Sequence, residues 1–273
     1  MGRWKVLLLL AALWGTWTCG PEERPTGLPP LVPDPPDLQT PELVVPSPGL
    51  VFVQMRPLPL HLQVLLRQGR LTLHSNLPIL RWWDWSGSWS DYGMLVAVDL
   101  PTWTDISLWF CNDWEGVCSR PAVVRVRAGE EPVPRLIESP LPNIFPEGVP
   151  GVNYDFVRDY LGVLGFPQRC KVEVTFISNC NGYPLPTGVP RPPCGGFLRL
   201  VDHVCSPNTW RPTWEALHEF FHSVGLDHYC VPPNLMLGAP VLGGGECRFQ
   251  NSDLTFFLTP SQLRWLSRAA SAR

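Results

Sequence analysis

Short apolar runs broken by turn residues dominate residues 49–128. Runs at 50–53, 60–66, 71–74, 94–98, 106–110 and 122–126 each have the length of a strand, with Gly, Pro, Asp and Ser between them. The second and third flank Gln68-Gly69, a pair suited to a hairpin turn. Several such strands at short intervals predict a β-sandwich. Beyond residue 128 the pattern changes. Residues 127–146 are rich in Pro and Glu and read as a linker. In 153–164 Tyr154, Phe156, Val157, Tyr160, Leu161 and Leu164 recur every three to four positions, which predicts a helix ended by Gly165 and Pro167. Residues 172–177 alternate as a strand. A Pro- and Gly-rich loop leads to a second strand at 197–204. Residues 213–224 form a second helix. A last helix opens at Thr259-Pro260-Ser261-Gln262, a capping box with Pro at the first helical position. The sum is an α+β chain, with an accessory β-sandwich over 49–128 and a linker plus second domain over 129–273.

The first 48 residues follow neither pattern. Arg3 and Lys5 precede an apolar run from Val6 to Trp14, the layout of an export signal over residues 1–18. That run is too short to span a bilayer as a mature helix, which needs roughly 20 apolar residues. Cys19 follows, where a bacterial lipoprotein carries its acylated cysteine, and residues 19–48 read as a Pro-rich tether. Export is expected, with the chain anchored to a membrane through a lipid on Cys19 or else secreted. No Asn begins an Asn-x-Ser/Thr sequon, which fits a bacterial source.

Composition narrows the function classes. With 45% hydrophobic residues in 273 the chain can bury a substantial core. A formal net charge of -3 removes the electrostatic case for a nucleic-acid partner. The 33 Pro and 23 Gly exclude a mostly helical bundle. A monomer is the default expectation. Of the nine cysteines, setting Cys19 aside leaves an even number, which in an exported chain reads as disulfides. Cys111–Cys118, Cys230–Cys247 and Cys194–Cys205 would close short loops. Arg81-Trp82-Trp83-Asp84-Trp85, with Trp89 close by, is either a surface for a glycan or protein ligand or, in part, filling for the sandwich core.

The chemistry concentrates in the second helix. His218 and His222 are four residues apart and share a face, so both imidazoles can point at one metal ion, with Glu219 beside them. The sequence continues to His228, so that the whole reads His-Glu-x-x-His-x-x-Gly-x-x-His. Gly225 accepts the left-handed conformation that ends a helix, and the turn can bring His228 round as third ligand. Three protein nitrogens and an open fourth position define a catalytic zinc site. Glu219 is then the general base that takes the water proton and passes it to a leaving amine. His203, near the second strand, is either a contact to substrate or an exposed bystander, and the bystander reading is favoured.

This extended motif resembles that of the metzincin clan of zinc metalloproteases, over roughly residues 135–273. The resemblance implies one catalytic zinc ion, a peptide or protein substrate, and a Met-turn supplying an apolar floor under the metal, a role that falls on Met236 of Asn234-Leu235-Met236. It also implies that substrate lies antiparallel to an edge strand before the zinc helix. Residues 195–201 occupy that place, with Phe197, Leu198 and Arg199 as substrate-binding positions. Two positions depart from the pattern. Tyr229 follows the third His and assigns the chain to no family within the clan, and Gly238 stands where some families carry an auxiliary Tyr. The first half resembles, in architecture alone, the immunoglobulin-like modules of secreted bacterial enzymes. The expected activity is zinc-dependent endopeptidase. The non-enzymatic alternative is a zinc-stabilised surface protein that binds through the Trp-rich β-domain.

Overall fold

The computed structural model describes residues 31–84, 93–130, 134, 136, 145–147, 152–166, 171–178, 189–191, 195–202, 211–238, 247 and 254–271. The export signal, Cys19, Trp85, Trp89, Cys170, Cys180, Cys194, Cys205 and His203 lie outside these residues. Among the described residues the fold is mixed α+β, with three sheets and with helices in the second half and between strands of the first.

Two sheets build the first half. One has the order β1 (Glu42–Val45), β8 (Ala122–Ala128), β6 (Ile106–Asn112), β3 (Leu71–Ser75), with the short β7 (Val117–Cys118) also on β6. In it β1 runs parallel to β8 and the other pairs are antiparallel. The other sheet is β2 (Gly49–Met55), β5 (Met94–Leu100), β4 (Ile79–Asp84), antiparallel throughout. Glu42–Val45, inside the segment read as a tether, is thus a paired strand. It escapes a periodicity search because it is only four residues long and flanked by Pro41 and Pro46.

Residues 60–66, expected as a strand, form a helix instead, α1 (Leu60–Arg67). The run carries two periods at once. Leu60, Leu62, Val64 and Leu66 alternate like a strand, while Leu62 and Leu65 are one helical turn apart, and these are the two buried positions. Leu, Gln and Arg favour helix, and β-branching is limited to Val64. Gly69, read as a hairpin residue, is the cap. At φ +66 it lets its own N–H reach the Leu66 carbonyl and that of Arg70 reach Leu65, the paired bonds of a Schellman motif.

The second half contributes a four-stranded sheet in the order β11 (Val189–Arg191), β12 (Gly195–Asp202), β10 (Lys171–Ser178), β9 (Phe145–Glu147). β9, β10 and β12 are mutually parallel and β11 is antiparallel to β12. Helix α2 (Tyr154–Val163) connects β9 to β10. It occupies the place expected from periodicity, and Asn153 Oδ1 caps it by accepting from Phe156 N at 3.1 Å. Helix α3 (Arg211–Ser223) packs on β12, and α4 (Pro260–Ser271) packs on β1 and β2. The capping box of α4 forms as read. Thr259 N donates to Gln262 Oε1 at 2.9 Å and Gln262 N to Thr259 Oγ1 at 3.4 Å. Among the described residues no helix is long and apolar enough to cross a membrane.

One apolar core runs from Leu43 to Ala270 and draws on both halves. Its cause is visible in β2 and β5, whose Val51–Met55 and Met94–Val98 are buried at every position. Strands covered on both faces read as continuous apolar runs rather than alternating ones. The face bearing Phe52 and Gln54 is covered by the second half. Phe52 meets Tyr160 of α2, and Gln54 Oε1 accepts from Thr255 Oγ1 at 3.1 Å. Trp83 belongs to the same layer, buried against Phe52, Phe156 and Tyr160, so that one ring of the Trp-rich segment is core and not binding surface. Arg81 of β4 and Asp159 of α2 form an ion pair at its margin. The expected disulfides Cys111–Cys118 and Cys230–Cys247 are both present.

Candidate metal centre

Helix α3 places His218 and His222 one turn apart, with ring centroids separated by 4.5 Å. The helix ends by the same device as α1. Gly225, at φ +103, donates to the His222 carbonyl at 3.0 Å and Leu226 N donates to Phe221 O at 3.0 Å. The chain reverses, and His228 returns to the helix, where Asp227 Oδ1 accepts from its backbone N–H at 2.8 Å. The result is a cluster of three ring nitrogens. His222 Nε2 lies 2.9 Å from His218 Nε2 and 3.1 Å from His228 Nε2, and all three ligand atoms fall within 4.8 Å of one another.

The other ring nitrogens decide what this cluster can hold. His218 Nδ1 is 2.8 Å from the Leu235 carbonyl and His222 Nδ1 is 2.7 Å from that of Leu226. A carbonyl oxygen only accepts, so each Nδ1 must carry the hydrogen and each Nε2 is left with a lone pair. Two lone pairs facing each other at 2.9 Å repel unless a cation lies between them. The donor set therefore fits a metal ion, and neutral imidazole nitrogens suit zinc.

Electrostatics favour the neutral form. His218 is buried, with the Trp214 ring against it at 4.8 Å. Burial, then the neighbouring charge of His222, pushes its imidazole well below the ordinary range, partly offset by the bond to Leu235. A depressed imidazole leaves the unfolded chain holding more protons, so its contribution to stability is present above the unfolded value of about 6.5 and is lost as pH falls below it. Metal binding adds to this, because protons compete for the same nitrogens. Acidification through about pH 6 to 5 is thus expected to release bound zinc and lower the midpoint of thermal unfolding, measured with a chromophoric chelator alongside calorimetry. Zinc held unchanged down to about pH 4 would contradict the three-histidine site.

Chain comparisons with protein-family models, curated proteins and solved structures return no match. What the centre can do follows from its own geometry.

The segment Asn234-Leu235-Met236 is drawn onto the histidines. Leu235 O accepts from His218, and Met236 O accepts from Tyr229 N at 2.7 Å, immediately after His228. Leu235 and Met236 are fully buried. Gly238 has a local reason to lack a side chain. A Cβ there would sit 3.0 Å from Cγ and Nδ1 of His228 and 3.2 Å from Cys247 Sγ, so a larger side chain would press on the His228 ring. Gly238→Ala is expected to displace the His228 ring by a few tenths of an ångström and weaken zinc binding about tenfold. Competition titration with a chelator reads this directly, and an unchanged affinity would contradict it.

Glu219 follows His218 in α3. Phe197, Leu198 and Arg199 lie in β12, the strand against which α3 packs. The expectation of an edge strand over 195–201 needs correction at its start. Phe197 pairs with Glu173 on one side and Val189 on the other, so β11 is outermost there. Leu198 and Arg199 pair with Val174 and Thr175 of β10. β11 reads as loop in the sequence because it is three residues long with Pro190 at its centre, and Pro, lacking an N–H, is tolerated at an edge. The carbonyls of Leu226 and Leu235 are functional atoms that no side-chain pattern signals. Trp214 has a signal in its spacing, four residues before His218 on the same helix face.

Proposed function

We propose that the protein is an exported zinc metalloendopeptidase of metzincin type. The observation that carries this reading is the convergence of three imidazole Nε2 atoms, two of them fixed as lone-pair donors by Nδ1–H bonds to carbonyls. A structural zinc site takes four protein ligands, whereas three histidines leave a position for water or substrate. The order α2, strands, α3, the turn at Met236 and α4 supports a metzincin-like second half. In the first half, a sheet of β2, β5 and β4 beside one of β1, β8, β6 and β3 supports an immunoglobulin-like sandwich, whose strands divide between two sheets in that manner.

His218, His222 and His228 would hold the metal, with Met236 in the turn beneath them. Bound zinc supplies a water of near-neutral pKa and polarises the scissile carbonyl. The Glu219 carboxylate accepts the water proton and returns it to the leaving amine nitrogen. The part of β12 beyond the β11 pairing, with Leu198 and Arg199, together with the outer β11, would align an extended peptide beside α3. The chain would act at the cell surface through a lipid on Cys19, or as a secreted protein. Incubating the zinc-loaded protein with a mixed peptide digest tests the activity. New termini in mass spectra, absent after chelation, are expected. Zinc bound, the fold intact and no new termini would overturn it.

A further inference from the structure

Gln262 carries more bonds than its helix cap requires. Within the capping box its Oε1 accepts from Thr259 N at 2.9 Å. The same oxygen accepts from Asn234 Nδ2 at 2.8 Å, and Gln262 Nε2 donates back to Asn234 Oδ1 at 3.2 Å. Asn234 Oδ1 also accepts from Met236 N at 2.9 Å. Both amides are almost wholly buried, Asn234 at 0% and Gln262 at 2% exposure. Polar side chains withdrawn from water to this degree are costly unless every group is paired, and an apolar pair of like volume would fill the space without that demand. What the couple secures is the residue between its two attachment points. Leu235 sits between Asn234, which Gln262 holds, and Met236, which Asn234 holds. The Leu235 N–H donates to Phe257 O at 2.7 Å, and its carbonyl accepts from His218 Nδ1.

We infer that the Asn234–Gln262 amide couple is the positioning device of the metal centre, aiming the Leu235 carbonyl that fixes the tautomer and ring orientation of His218. The inference rests on the zinc-site reading above. Neither amide touches the histidines, so both act through a backbone carbonyl. Thr259 and Asn234 separate the two duties of Gln262. Thr259→Ala removes half of the helix cap and leaves the amide couple. Asn234→Leu removes the couple and leaves the cap.

The test uses the full chain and two readouts. Zinc affinity is measured by competition, and the protonation of His218 Nδ1 in the metal-free protein is read from imidazole 15N chemical shifts. Asn234→Leu is expected to weaken zinc about ten- to a hundredfold, the effect of losing an outer partner of a ligand, and to lower the Nδ1–H population of His218. Thr259→Ala is expected to lower thermal stability with both readouts near parental. If Asn234→Leu does not fold, Gln262→Met is used, and because it loses a cap bond as well as the couple its zinc affinity is read against that of Thr259→Ala. Parental zinc affinity and tautomer in a folded couple variant would overturn the inference, as would an equal loss of affinity in Thr259→Ala. If the parent itself binds no zinc, the metal-site reading falls and this inference with it. A parent that binds zinc beside an unaffected variant removes this inference alone.

Discussion

Glu219→Ala is expected to reduce the rate of peptide hydrolysis by about 10²–10⁴-fold while zinc stays bound, the range that a positioned general base contributes. Among the described side chains three imidazoles form the candidate ligand set, and the proposed mechanism gives the Glu219 carboxylate the role of base, not ligand. Its loss therefore removes a proton acceptor and leaves the cation-binding nitrogens as they were. Glu219→Gln sharpens the comparison, since it keeps the shape and removes the basicity. If the carboxylate is the base, both variants fall together in kcat, with zinc stoichiometry and KM close to parental. A variant that loses zinc as well would make Glu219 a contributor to metal binding. Unchanged turnover in a zinc-loaded Glu219→Gln would remove the proposed mechanism.

The parts of this centre that were legible in the sequence are those whose geometry is local. His218, His222 and Gly225 follow from the period of one helix and the way it ends, and His228 follows from the turn after it. The α4 cap was equally local, a bond set within four residues. The second partner of Gln262, Asn234, lies 28 residues away and has no signature that spacing could give. The carbonyls of Leu226 and Leu235 are invisible for a different reason, because every residue has one. Misreadings came where a short segment carried two periods or none. The apolar residues of 60–66 fit both strand and helix, and packing chose the helix. β1 and β11 are too short and too rich in flanking or central Pro to register. The continuous runs at 51–53 and 94–98 did carry a message about the fold, that both faces of their sheet would be covered, but not what would cover them.

What covers them makes the first half part of the fold of the second. Tyr160 of α2 has no exposed surface and lies among Phe52 and Trp83 of the sheet, Phe156 of its own helix, Phe221 of α3 and Phe256. Burial pushes its phenol well above the ordinary range, so it stays an O–H donor, and it gives that hydrogen to Phe256 O at 2.5 Å. Phe256 precedes Phe257, whose carbonyl holds Leu235 and so stands one residue from the metal centre's support. Tyr160→Ala is expected to cost about 3–5 kcal/mol, the range for emptying a large aromatic from a core. That is a large share of the roughly 5–15 kcal/mol that holds a typical domain folded. Tyr160→Phe keeps the ring contacts and leaves the Phe256 carbonyl without its donor, for about 1–3 kcal/mol. Denaturant titration followed by both tryptophan fluorescence and zinc release distinguishes one cooperative unit from two. If the halves share this core, both probes shift to lower denaturant together in Tyr160→Ala, because Trp83 and His218 lose order in the same event. If the two sheets of the first half folded independently of the metal-binding half, the signal would split, with zinc release moving together with the fluorescence of Trp214 and Trp265 while a separate transition from the tryptophans of the sheets stayed in place. The ring contacts from β2 and β4 to α2 favour the first outcome, since no cut between residues 128 and 154 leaves either apolar face covered.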